Sequence, residues 1–189
     1  MTRAVLIAAV LAAGCSSRRE PSLVLPEFSM KAIGSKSETT FSRKDLLGRV
    51  WIVDFIFTRC AGPCPLLSRR MSGLAKQLPA DIGLITISVD PEGDTPERLR
   101  AYALRYDAQP GRWMFLRGSI EDTYRLLYAG FRLPLSTNPG AAEENRVTHS
   151  TRLVLLGKDA SIQGYYDGLS DLDAAALGRD ARRLLEVVP

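Results

Sequence analysis

Val50-Trp51-Ile52-Val53-Asp54-Phe55-Ile56-Phe57 runs directly into Thr58-Arg59-Cys60-Ala61-Gly62-Pro63-Cys64. The first segment is β-branched and aromatic apart from Asp54, and it shows no alternation of polar and apolar residues. That pattern predicts a central strand covered on both faces. Past it, Cys64, Leu67, Met71, Leu74 and Leu78 recur at spacings of three and four, the apolar stripe of an amphipathic helix. A buried strand, a tight turn and a helix thus bracket both cysteines.

The segments that follow repeat the alternation. Ile82 to Val89 is a second apolar strand, and Asp94-Thr95-Pro96-Glu97 opens a helix running to near Tyr106. Trp113-Met114-Phe115-Leu116 is a third strand, and Ser119-x-x-Asp122 opens a helix to near Ala129. Leu135 to Val147, with its Pro, Gly, Ser, Asn and paired Glu, reads as a mobile loop. Arg152-Leu156 and Ile162-Tyr166 flank Gly157-Lys158-Asp159-Ala160-Ser161 and read as a β-hairpin. Ser170-x-x-Asp173 starts a last helix with Leu177, Ala181, Leu184 and Val188 inward. The order predicts an α/β domain, a mixed sheet with helices on both faces. Sites in such folds lie at the carboxyl ends of strands, and Cys60 follows one.

The N-terminus is of another kind. Arg3 precedes the uncharged run Ala4 to Ala13, which is too short to span a membrane and suits a signal-peptide core. It ends in Leu11-Ala12-Ala13-Gly14-Cys15, small residues before a cysteine, as in a bacterial lipobox. The expected organisation is a signal peptide over 1–14, a lipid-anchored polar tether over 15–26 and one domain over 27–189, exported to the periplasmic side of the cell envelope. A net charge of +4 without basic runs, and 7% aromatics without clustering, give no nucleic-acid patch. With Cys15 set aside as the lipid carrier, two of the three cysteines remain, and the loop a bridge between them would close is too small to staple a fold.

Chemistry is the better use for that pair. If the helix begins within the motif, Cys60 and Cys64 share one face, where their sulfurs can meet a metal ion or each other. A helix N-terminus favours thiolate, and Arg59 adds a positive charge nearby. Packing as two small apolar side chains is the plain alternative. His149, the one histidine, directly precedes a strand at the end of the long loop. Asp54 is costly in an apolar strand unless it is used or paired, the plain reading being a carboxylate that reaches a sheet edge or a basic partner. The acids of Asp90-Pro91-Glu92-Gly93-Asp94 suggest a hard-cation site or, more simply, the cap and loop before the next helix.

These residues resemble the SCO/SenC family, exported thioredoxin-like copper chaperones for cytochrome c oxidase assembly. The resemblance covers Pro26 to the C-terminus. It rests on Cys60-x-x-x-Cys64-Pro65, on Ser88-Val89-Asp90-Pro91 through Asp94-Thr95-Pro96, on Trp113-Met114-Phe115-Leu116 and on Thr148-His149-Ser150 before a strand. It implies a thioredoxin-like fold in which the loop of His149 lies against the cysteines, with copper, as Cu(I) or Cu(II), bound by Cys60, Cys64 and His149. Two thiolates and an imidazole make a soft site suited to copper, whereas structural zinc would want a fourth ligand. The implied partner is the copper-site subunit of cytochrome c oxidase or another copper carrier. The chain departs from the family in having Ala61, where a proline usually follows the first cysteine. Gly62-Pro63-Cys64 and Val53-Asp54-Phe55 look instead like thioredoxin, in which that Asp accepts protons. The competing expectation is therefore an envelope thiol-disulfide oxidoreductase using Cys60, Cys64 and Asp54. A peroxidase of the peroxiredoxin kind is disfavoured, because no Pro-x-x-x-Thr-x-x-Cys arrangement surrounds Cys60.

Overall fold

The computed structural model describes residues 23–138, 140–143 and 147–186. Cys15, the apolar run before it and Val188 lie outside the described residues. Strands β1 (Ser29–Ile33), β2 (Glu38–Ser42), β3 (Val50–Ile56), β4 (Ile82–Ser88) and β5 (Trp113–Arg117) are followed by the short β6 (Leu135–Thr137) and β7 (Val147–His149), then by β8 (Arg152–Leu156) and β9 (Ile162–Asp167). The helices are α1 (Cys64–Gln77), α2 (Pro96–Arg105), α3 (Ile120–Arg125) and α4 (Asp171–Glu186). Seven strands form one sheet in the order β2-β1-β5-β4-β3-β8-β9. The pairs β3–β4 and β4–β5 are parallel, linked through α1 and α2, and the remaining pairs are antiparallel. Parallel neighbours need such helical crossovers.

Every residue of β3 and β4 is buried, as a continuous apolar run requires of a doubly covered strand. Trp51 and Phe55 point to one face, where they meet Phe41 edge-on at 5.9 Å and Phe131 at 5.0 Å between ring centroids. Asp54 points to the other, into a chain of contacts through Thr86, Trp113 and Phe115 to Tyr102 of α2. Tyr102 in turn meets Ser68 of α1 at 2.9 Å, and Arg70 of α1 pairs with Asp171 of α4 at 2.5 Å. Helices α1, α2 and α4 thus share one face, while the segment of α3 and Phe131 covers the other. The mixed sheet with helices on both faces is as expected.

Three stretches differ from the sequence reading. Leu135 to Val147 is not loop throughout: its ends are β6 and β7, paired antiparallel with Leu135 opposite His149 and Thr137 opposite Val147. Leu135 and Val147 are both buried, and those apolar anchors outweigh the turn residues between them. Leu23 to Leu25, within the expected tether, already belong to the domain. Ile162 N–H donates to Leu23 O, Leu25 N–H donates to Ala160 O, and the Leu25 side chain is buried. The helix opened by Ser119 stops at Arg125 and continues as a π-helical turn over Leu126–Gly130. The edge pair β1–β2 carries no sequence signal strong enough to mark it: its strands are five residues each and half exposed.

Candidate metal and thiol site

The site forms where β3 ends. Cys60 N–H donates to Phe57 O, which turns the chain back toward the helix. Helix α1 starts at Cys64 with Pro65 in its first turn, where a missing N–H costs no hydrogen bond. Cys60 therefore precedes the helix, and the turn, not a shared helical face, brings it to Cys64. Cys60 is half-buried and Cys64 is fully buried; both are free thiols.

His149, the last residue of β7, arrives from the far end of the chain. Its Nε2 lies 3.3 Å from Cys64 Sγ, and its ring stands edge-on to Phe57 at 6.0 Å. Its Nδ1 lies 2.9 Å from Ser150 O. A carbonyl only accepts, so Nδ1 carries the proton and Nε2 presents a lone pair. Burial holds the imidazole below its ordinary pKa, which keeps it neutral. This is the tautomer a soft metal needs, with the second nitrogen already oriented by a backbone partner. Cys60, Gly62, Pro63, Phe57 and His149 line a cavity of about 220 Å³.

The two thiols are unequal. The hydrogen bond from Cys64 pulls Cys60 down to about 6 against burial, and the N–H groups of Cys64 and Gly62 assist. Cys64 is pushed up, because its proton is shared toward Cys60 and its sulfur is desolvated. Cys60 is thus the thiolate and Cys64 the thiol. The donors are strung Cys60, Cys64, His149, and among the described residues no three such side chains already converge on one point. Cys64 is the common neighbour of the other two.

Asp54 lies beneath the pair in the central strand, fully buried. Thr86 donates to its Oδ1 at 2.5 Å and itself accepts from Trp113 Nε1 at 2.8 Å, while Oδ2 has no partner. It sits neither at a sheet edge nor beside a cation. Burial pushes its carboxyl up to about 7, and its charge in turn raises Cys64.

Arg59 does not serve Cys60. Its guanidinium is held by Asp90 at 2.7 Å and Glu143 at 2.6 Å. The acidic loop is structural, though not as a simple cap. Thr95 caps α2, while buried Asp94 accepts from Thr58 N–H at 2.9 Å, Thr58 Oγ1 at 2.6 Å and Ser88 Oγ at 2.6 Å. Asp94 therefore fastens the residue two before Cys60 to the end of β4. The sequence reading gave it no such role; its one local signal is an acid among polar neighbours at two strand ends.

The sequence model of the SCO1/SenC family matches residues 17–186. The SCO1 protein homolog of Bacillus subtilis (strain 168) is 34% identical over 134 residues, 69% of this chain and 68% of that protein. Among solved structures, a SCO1/SenC family lipoprotein from Bacillus anthracis gives a TM-score of 0.77 at 29% identity, covering 89% of this chain and 99% of that one. BsSco, a member of the Sco family of cytochrome c oxidase assembly proteins with a disulfide switch, gives 0.75 at 27% identity over 89% and 96%. Bradyrhizobium japonicum ScoI with copper bound gives 0.70 at 20% identity over 85% and 99%, a likeness of fold alone.

The inequality of the thiols is open to test. With the copper-free, reduced protein, iodoacetamide should label Cys60 at a rate that climbs through about pH 6 and levels near neutrality, because the thiolate alone reacts. Cys64 should stay unlabelled. Peptide mapping across about pH 5 to 9 checks both, and a rise centred above about pH 8, the range of an ordinary thiol, would show that Cys60 is not activated.

Proposed function

The chain belongs to the SCO1/SenC family, and from that premise we propose that it is a copper-binding carrier. In this reading Cys60, Cys64 and His149 hold the ion and pass it to the copper-site subunit of cytochrome c oxidase or to another copper carrier. One observation carries it: His149 Nε2, its lone pair free by virtue of the Ser150 contact, stands 3.3 Å from Cys64 Sγ. Two sulfurs and one neutral imidazole suit soft Cu(I) through the thiolates and Cu(II) once the imidazole joins. The copper seen on ScoI, a protein of the same fold, supports the choice of metal. An ion held by three donors in a half-exposed pocket keeps a coordination position for a recipient's donor, which is what handover requires.

A second reading is a thiol-disulfide oxidoreductase, and the unpartnered Oδ2 of Asp54 favours it. The Cys60 thiolate would attack a partner disulfide and form a mixed disulfide, releasing one partner thiolate. Asp54 would then take the Cys64 proton, and the Cys64 thiolate would displace the second, leaving a Cys60–Cys64 disulfide and a reduced partner. The disulfide switch of BsSco supports reversible bonding at such a pair. Cys15 completes the proposal as an acylated residue tethering the domain to the periplasmic side of a membrane, a reading supported by the lipoprotein neighbour.

His149→Ala should lose part of its Cu(I) affinity and nearly all Cu(II) binding, while the Cys60–Cys64 disulfide still forms. Titrating reduced wild type and variant with each copper state reads this out, and equal Cu(II) affinity would remove His149 from the ligand set. Asp54→Asn keeps the Thr86 hydrogen bond and the shape of a protonated acid. It should slow exchange with a small disulfide while leaving copper affinity unchanged; an unaltered rate in the folded variant would count against proton transfer by Asp54. Mass spectrometry of membrane-extracted protein should find Cys15 acylated and N-terminal, and a free Cys15 thiol there rejects the anchor.

A further inference from the structure

We infer that the groove adjoining His149 and flanked by Arg132 and Arg152 docks an acidic surface of the protein that receives the copper, an inference that rests on the carrier reading above. His149 lines two cavities. One, of about 220 Å³, holds Cys60. The other, of about 610 Å³, has Leu133 and Leu135 in its lining and Arg132, Arg152 and Tyr128 around it. A coordinate bond from copper to nitrogen or sulfur spans only about 2 Å. The recipient's donor must therefore come into contact with the site, and the recipient must cover the surface beside it. This groove is that surface.

Its charge says what covers it. Arg132 and Arg152 are exposed, and neither meets a carboxylate among the described residues. They come from two segments, one just before β6 and one at the start of β8, and the positive charge of both opposes the rise that burial gives the Tyr165 hydroxyl pKa. Asp167, an acid in the same lining that stands opposite Arg152 across β8 and β9, accepts from Leu169 N–H and forms no ion pair with either arginine, which leaves two positive charges against one negative. The groove is also built. Arg132 sits at φ +53°, a left-handed conformation that only surrounding contacts can hold for such a residue. Tyr165 OH donates to Phe131 O at 2.8 Å on one side of it and Tyr128 OH donates to Leu135 O at 2.6 Å on the other. Guanidinium forks match carboxylates in pairs, and positive charge at the rim of a transfer site speeds the approach of an acidic partner.

The test uses the copper-loaded protein and the soluble, copper-free copper-site domain of the oxidase subunit. Arg132→Gln/Arg152→Gln should hold as much copper as wild type yet bind that domain about tenfold more weakly, with a flatter dependence on salt. Arg105→Gln/Arg179→Gln, which removes the same charge elsewhere, should bind as wild type does. Equal binding by the groove variant, equal weakening by the remote one, or no binding by wild type overturns the inference. So does binding to phosphatidylglycerol vesicles that the groove variant alone loses while its protein binding stays intact, since the groove then faces lipid. Docking that keeps its arginine dependence in a protein that takes up no copper sustains the groove and removes the carrier reading.

Discussion

A strand buried along its whole length must be covered from both sides, and β3 imposes that condition on everything around it. Its side chains fill two separate packing layers, one formed by α1, α2 and α4, the other by Phe41, Phe131 and the segment of α3. Close packing on both sides leaves the strand no freedom to slip, because a shift of one residue would exchange the layers. The end of β3 is therefore a fixed point. The Cys60 turn hangs from it, Asp94 ties that turn to the neighbouring strand, and α1 begins with Cys64 already facing the core.

Asp54 is the one residue of that strand that runs against the packing. Burial of its carboxyl outweighs the single Thr86 hydrogen bond, so the group holds its proton to about pH 7 instead of releasing it near 4. Its folded pKa lies above its unfolded value, so the folded state is favoured at low pH and loses that advantage as pH rises through about 7. A domain gains no stability at neutral pH from such a choice. Its cost is set against its place near Cys64, on which its charge acts, and the proton-transfer role proposed above is one use that would account for it.

What the sequence made legible follows from how local each signal is. The periodicity of Val50 to Leu78 specified β3, α1 and the cysteine turn, because strand and helix patterns are written in consecutive residues. Thr95 and Ser119 marked helix starts by side-chain chemistry that acts within three residues. The pairing of β6 with β7 was not legible, since it depends on Leu135 and Val147 finding one core across a stretch of turn residues. Asp94 was read as part of a cap, because its partners Thr58 and Ser88 lie on two different strand ends. Arg59 was misread in the same way: adjacency in sequence to Cys60 said nothing of the carboxylates at Asp90 and Glu143. The nearness of His149 to the cysteines came from family resemblance, not from any pattern in the residues themselves.

The sulfur and imidazole that meet at 3.3 Å are separated by 85 positions in the chain. Two cysteines four positions apart are never more than about 14 Å from each other even in an extended chain, so an unfolded chain can still fold back to chelate a soft ion with them. The histidine joins only when β7 has closed over the cysteine turn. An ion that engages all three donors thus binds the finished fold and not its precursors, and its binding energy is added to that of folding. An ion content with the sulfurs alone adds far less, because the unfolded chain competes for it. In the proposed carrier, a single remote side chain would thereby couple the uptake of copper to the completion of the fold.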